Sequence, residues 1–325
     1  MAWRLRLVPE HTTLDFFRWQ WISFGGSMAL MLVAFACWGL FGLNFGIDFQ
    51  GGTTIRTESP VVIDTGLYRH TLESLNIGDV SVTEVFDPSF GATKHVASIR
   101  IGAVKGSDGV AAETVSLVEA ALTKMDSQIT FASVETVGPK VSGELVWSSI
   151  LAVAVTSLGI MAYIWLRFEW QFALGGVLAL LHDVFITVGI FALFQIKFDL
   201  TIVAALLTIL GYSINDTVVV FDRLRENLIK YKTMPLKDVM NLSVNETLSR
   251  TMMTSLTTLL AVGSMLVLGG DVIRGFSFAI FMGVILGTYS SVFVAKNLVL
   301  FLGLDRSDKP KNANGGDHEF ANIDA

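Results

Sequence analysis

Cysteine is almost missing from this chain of 325 residues: Cys37 stands alone inside an apolar run, so no disulfide can close within the chain. Charge is scarce too. Lys, Arg, Asp and Glu make up only 16% of residues and the mean hydropathy is +0.59, too apolar for an ordinary water-soluble protein. The net charge of −6 is small and dispersed, and no basic patch or stacking platform suits a nucleic acid. Gly46–Gly52 and Gly138–Lys140 are rich in glycine or flanked by proline, yet neither has the Lys-Ser/Thr step of a phosphate-binding loop. Without an ATP site, any energy source must be something else. No His, Cys or carboxylate cluster has metal-ligand spacing and no nucleophile signature occurs, so neither an enzyme nor a cofactor is expected.

What is present is six apolar runs, 22–43, 146–166, 172–194, 200–221, 251–268 and 276–302, each suited to a hydrocarbon core of about 30 Å. Arg4, Arg6 and Arg18 precede the first, and Arg167 follows the second. Arg223, Arg225, Lys230, Lys232, Lys237 and Arg250 crowd the stretch after the fourth, and Arg306, Lys309 and Lys311 follow the sixth. Lys197 and Arg274 stand alone in the alternate short loops. The positive-inside rule then predicts a multi-pass inner-membrane protein with residues 1–21, 222–250 and 305–325 cytoplasmic and 44–145 outside. Ala34-Phe35-Ala36 imitates a signal-peptidase site, but the apolar run continues to Leu43, longer than a signal segment, so an uncleaved anchor is expected. The polar tail 305–325 is expected to be disordered.

Within 44–145, alternation predicts strands at Thr53–Thr57, Val80–Phe86, His95–Ile101 and Ile129–Val137. Helical spacing covers Asp64–Leu75 and Ala111–Met125. The order β-α-β-β-α-β predicts an α+β, ferredoxin-like sandwich that binds rather than catalyses. Gly46, Gly51 and Gly52 before it, and Gly138 and Pro139 after it, are expected to be hinges that permit rigid-body movement.

The polar residues inside the apolar runs carry the chemistry. Asp216 stands with Asn215 in LTIVAALLTILGYSINDTVVVF, and a charge at the centre of a membrane helix costs about 3 kcal/mol. Tyr212, Ser213 and Asp216 share one face at i, i+1 and i+4. Arg250, Thr254, Thr257 and Thr258 share a side of the fifth run, and Arg250 is expected within reach of Asp216 if the two helices are neighbours. His182 and Asp183, midway along the third run, read equally as a buried pair or as a relay. Ser213 and the threonines read more readily as packing contacts, as does Gly283-xxx-Gly287. Burial favours a carboxylate's neutral form and a nearby cation its charged form, so such a pair takes up and releases protons. One charge crossing the membrane releases about 2.3 kcal/mol per 100 mV, enough to bias a two-state hinge.

Gly46-Ile47-Asp48-Phe49-Gln50-Gly51-Gly52-Thr53, Val137-Gly138-Pro139 with Ser142 and Glu144-Leu145, Leu181-His182-Asp183-Val184, and GYSINDTVVVFDRLREN at 211–227 together closely resemble the SecD/SecF family. The short outer domain and Ile214-Asn215-Asp216-Thr217 favour its SecF branch. The resemblance implies six transmembrane helices of the resistance-nodulation-division transporter type and a periplasmic domain between the first two. It implies a SecD partner, the SecYEG channel and YajC, and a role in the proton-driven late stage of export of unfolded preproteins. It also implies that Asp216 and Arg250 lie on the proton path, with Thr254 close by, and Asn215 beside Asp216 is expected on the same path. Sodium is the alternative coupling ion. A self-contained proton-coupled exporter of small molecules and a structural scaffold subunit are the competing readings.

Overall fold

The computed structural model describes residues 12–75, 77–85, 94–102 and 112–304 of the chain. Helix α1 (Gln20–Phe41) ends at Gly42, whose φ of 66° suits a residue without Cβ. A four-residue helix, α2 (Ile47–Gln50), then leads into the outer domain. There β1 (Gly52–Ser59), α3 (Thr65–Glu73), β2 (Val80–Val85), β3 (His95–Gly102), α4 (Ala112–Met125) and β4 (Thr130–Val137) follow in the expected order. Asp64 caps α3 by accepting from the N–H groups of Gly66 and Leu67. The expected strand end at Phe86 and helix start at Ala111 lie outside the described residues, as does the 305–325 tail.

The sheet is antiparallel throughout, in the order β2-β3-β1-β4, with Ile55 of β1 opposite Ile99 of β3 and Val134 of β4. One face is apolar because alternate residues point the same way. Ile55, Ile99, Ile101 and Val82 meet Leu72 of α3 and Val118 and Leu122 of α4 in a dry core. Each fully buried aliphatic side chain contributes about 1.5–3 kcal/mol there. The Tyr68 phenol, at the edge of this core, is held above its usual range by burial and by the charge of Asp126.

Six long helices follow the expected runs: α1, α5 (Pro139–Arg167), α6 (Trp170–Phe194), α7 (Leu200–Lys230), α8 (Leu236–Leu268) and a last rod. That rod consists of α9 (Asp271–Ser290), a π-helical turn at Ser291–Ala295 and α10 (Lys296–Leu302). Helices outrun the apolar spans. The 222–250 segment is almost wholly helical, because α7 continues nine residues past Phe221 and α8 begins fourteen residues before Arg250. Hydropathy marks where the environment changes, whereas backbone hydrogen bonds continue into water. Arg223 holds this extension together, reaching Glu246 at 2.7 Å and Glu226 at 2.6 Å, while Asn227 donates to Glu246 at 2.6 Å.

Helices α6, α7 and α9 form the buried centre; α1, α5 and α8 lie around it with most of their apolar surface exposed. Gly283 and Gly287 of α9 face Ile209 and Ser213 of α7, and a Cβ on Gly287 would sit 2.9 Å from Ser213. The two glycines therefore make the close helix contact that their spacing predicts.

Candidate functional site in the membrane core

Asp216 lies on the inward face of α7 and is 3% exposed. The Thr254 hydroxyl of α8 approaches Asp216 Oδ1 at 3.5 Å, at the outer limit of a hydrogen bond, and also donates to its own helix at the carbonyls of Thr251 and Arg250. Asp216 Oδ2 is buried with no hydrogen-bond partner among the described residues, as is the Thr251 hydroxyl one α8 turn away. Arg250 is exposed but close enough to act on Asp216 through its charge, and Ser255 faces the same carboxylate. The geometry thus joins Asp216 and Thr254 across α7 and α8, with Arg250 one α8 turn before Thr254. It does not bring in Asn215, which stands on the exposed face of α7, nor Thr257 and Thr258, whose hydroxyls return to carbonyls of α8.

A second carboxylate forms a tighter arrangement. Asp183 of α6 is fully buried and accepts from Ser213 of α7 at 2.8 Å and from Ser290 of α9 at 2.7 Å, both on Oδ2. Its Oδ1 lies 3.0 Å from His182 Nδ1. Directly beside it, Thr217 and Ser291 share a hydrogen bond of 2.9 Å, at the start of the π-helical turn. His182 Nε2 and the Tyr212 hydroxyl are buried without a hydrogen-bond partner among the described residues. Ser213 belongs to both sets of contacts: it holds Asp183 and lies one α7 turn, about 4.5 Å of rise, from Asp216.

Sequence reasoning singled out Asp183 but not its partner Ser290, because which serine of α9 faces α6 depends on helix pairing. It also missed Lys296 and Asn297 in the sixth run, although a lysine in an apolar run is the same kind of signal as Asp216. Lys296 is buried, donates to the Phe16 carbonyl at 3.4 Å and to Asn297 at 3.1 Å, and lies 3.7 Å from the centre of the Phe17 ring. Asn245 and Asn241 of α8 bind the same strap. Asn245 accepts from the Thr12 hydroxyl at 2.7 Å and from the Leu14 amide at 2.9 Å, and Asn241 from the Phe16 amide at 2.9 Å.

At the outer end, Gly51 and Gly52 have φ of 75° and 128°, a backbone that side chains resist. Gly46 makes a close approach: a Cβ there would meet Asp199 and Lys197 at 3.1 Å. Gly138 alone separates β4 from α5, and Pro139 is the first helical residue, where its missing N–H costs nothing.

The chain matches two family descriptions: "Protein export membrane protein SecD/SecF, C-terminal" over residues 117–305 and "SecD/SecF GG Motif" over residues 38–59. It is similar to a protein translocase subunit SecF from Cereibacter sphaeroides, at 64% identity over 325 residues and the full length of both chains. A second, from Rhodobacter capsulatus, is 62% identical over 318 residues, 96% of each chain. Among solved structures, SecDF from Thermus thermophilus aligns with a TM-score of 0.79 at 34% identity, covering 91% of this chain and 39% of that one. SecDF in a super-membrane-facing form aligns with a TM-score of 0.67 at 35% identity, covering 92% of this chain and 40% of that one. The chain therefore spans about two-fifths of the length of the solved SecDF chains.

Proposed function

The chain belongs to the SecF branch of the SecD/SecF family of protein-export membrane proteins, and from that membership we propose that it is a non-enzymatic export subunit in which proton passage at Asp216 moves the outer domain. The observation that carries this reading is one carboxylate oxygen of Asp216, buried between α7 and α8 with no hydrogen-bond partner among the described residues. A group so placed is costly to keep charged, and the marginal contact from Thr254, with Ser255 beside it, leaves it free to exchange a proton. Arg250, at the edge of the same cleft between helices, supplies the charge that draws the proton off again.

The exposed face of α7, opposite the site, suits a further helix. Ala204, Thr208, Gly211 and Asn215 form an exposed stripe along α7 at i, i+4, i+7 and i+11, and Gly211 has open space beside it. Small and polar residues suit a helix–helix contact better than lipid. A SecD-type half packed there would complete the path, in keeping with the two-fifths share of the solved SecDF chains. The SecYEG channel, YajC and the emerging unfolded preprotein then follow as the working partners, with both termini cytoplasmic and residues 44–145 periplasmic.

The test is proton flux and late preprotein export measured in the same membrane vesicles with wild type and Asp216→Asn, assembled with SecD. Both activities should fall to background in the variant while the complex still forms. Undiminished proton flux would overturn the reading. A response to a sodium gradient in place of a proton gradient would reassign the ion. Flux stimulated by small apolar cations and independent of preprotein would favour a self-contained exporter.

A further inference from the structure

The segment between α1 and β1 is not a loose tether. Phe198 of the α6–α7 loop donates its amide to Asn44 O at 2.8 Å, and Gly46 returns its own amide to Phe198 O at 2.8 Å, so the two strands of chain pair in parallel. Phe45 and Phe49 pack on Phe198 with ring centres 6.1 and 5.9 Å apart, and Phe198 packs on Phe191 of α6. Ile47 is buried, and its carbonyl accepts from Ser142 in the first turn of α5 at 3.3 Å. On the other side, Gln50 bonds to Arg100 of β3. Helix α2 therefore touches the membrane helices and the sheet at once.

Asp48 is the polar centre of this joint. Its Oδ2 accepts the backbone amide of Leu200, the first residue of α7, at 3.0 Å. Asp199 takes the next two amides, of Thr201 and Ile202. The end of α7 is thus capped by two carboxylates, one from its own loop and one from the outer-domain linker, where the helix dipole also favours negative charge. Asp216 stands sixteen residues further along the same unbroken helix, about 24 Å away. Beside the joint an open cleft of about 540 Å³ separates Arg56 and Glu135 of the sheet from Arg274 and Gly275 of α9. The linker is bonded to the start of α7, while the cleft leaves space between the sheet and α9.

We infer that Asp48 is a positioning residue that couples α7, the helix carrying Asp216, to the outer domain, so that axial or tilting displacement of α7 is delivered to the sheet through α2. The inference rests on the proton reading of Asp216, and its test separates the two. Proton flux, export driven by the proton motive force and complex yield are measured together for the full complex carrying Asp48→Ala, Asp48→Asn or Asp216→Asn. Asp48→Ala should keep proton flux and lose about fivefold in driven export, the scale of one lost helix cap. Asp48→Asn should export like wild type, since the amide oxygen accepts the same bond. Wild-type export in Asp48→Ala, or loss of flux together with export, overturns the coupling role; unchanged flux in Asp216→Asn overturns the proton reading instead. If Asp48→Ala lowers the yield of complex, Gly46→Ala decides. Its added methyl pushes the linker between α1 and α2 away from Asp199 and Lys197 and should uncouple export from flux in the same way, and wild-type export there overturns the inference.

Discussion

Asp216 and Asp183 are two buried carboxylates with opposite surroundings. One has a marginal contact from Thr254, Ser255 nearby and an oxygen with no hydrogen-bond partner among the described residues; the other has two serine donors and a histidine from three helices. The first arrangement suits the proton exchange proposed for Asp216, and the second ties three helices together. Removing the junction should therefore be costly in stability. Asp183→Ala strands Ser213, Ser290 and His182 in a dry interior and should cost about 3 kcal/mol. Ser290→Ala removes one interhelical donor and should cost about 0.6 kcal/mol. Unfolding of the detergent-solubilised protein checks both; equal losses would mean that the hub is not a hub. Asp216 was legible from sequence because a charge in an apolar run is conspicuous. The balance between Asp183 as joint and as relay was not legible, because its serine partners lie 30 and 107 residues away and look like ordinary small residues.

Between helices, two glycines one turn of thought apart have contrasting neighbours. Gly287 meets Ser213 across the α7–α9 contact, whereas Gly211 on the outer face of α7 meets nothing within 4 Å. Gly287→Leu should strain the core by about 1–3 kcal/mol and lower the yield of folded chain. Gly211→Leu should fold normally and fail to co-purify with SecD. Monodispersity of the lone chain and recovery of the pair distinguish the cases. The Gly283-xxx-Gly287 contact could be read from spacing, since small residues at i and i+4 let helices approach. The extents of α7 and α8 could not, because hydropathy falls at Asp222 while the helix persists, fastened by Arg223 and Glu246. Nor could the α2 joint, whose glycines signal a bend but not what the bend packs against.

For the molecule as a whole, the alternation of Lys and Arg predicts sidedness. With Cys37 replaced by alanine, Glu73→Cys on α3 should react with a membrane-impermeant maleimide from the periplasmic side, and Lys237→Cys on α8 only after the inner membrane is opened. Both native side chains are exposed, so a reversed pattern would invert the topology. The order of the outer sheet was within reach of the sequence, since β-α-β-β-α-β with antiparallel pairing has few ways to cover one apolar face. The strap that Lys296 holds has a further bearing, on biosynthesis. Phe16 leaves the ribosome before any of the six spans, but the lysine that grips it is made 280 residues later. The segment before the first helix therefore gains its asparagine contacts only when α8 is made and its lysine contact only with the last helix, so the bond to Phe16 marks a chain in which all six helices are present.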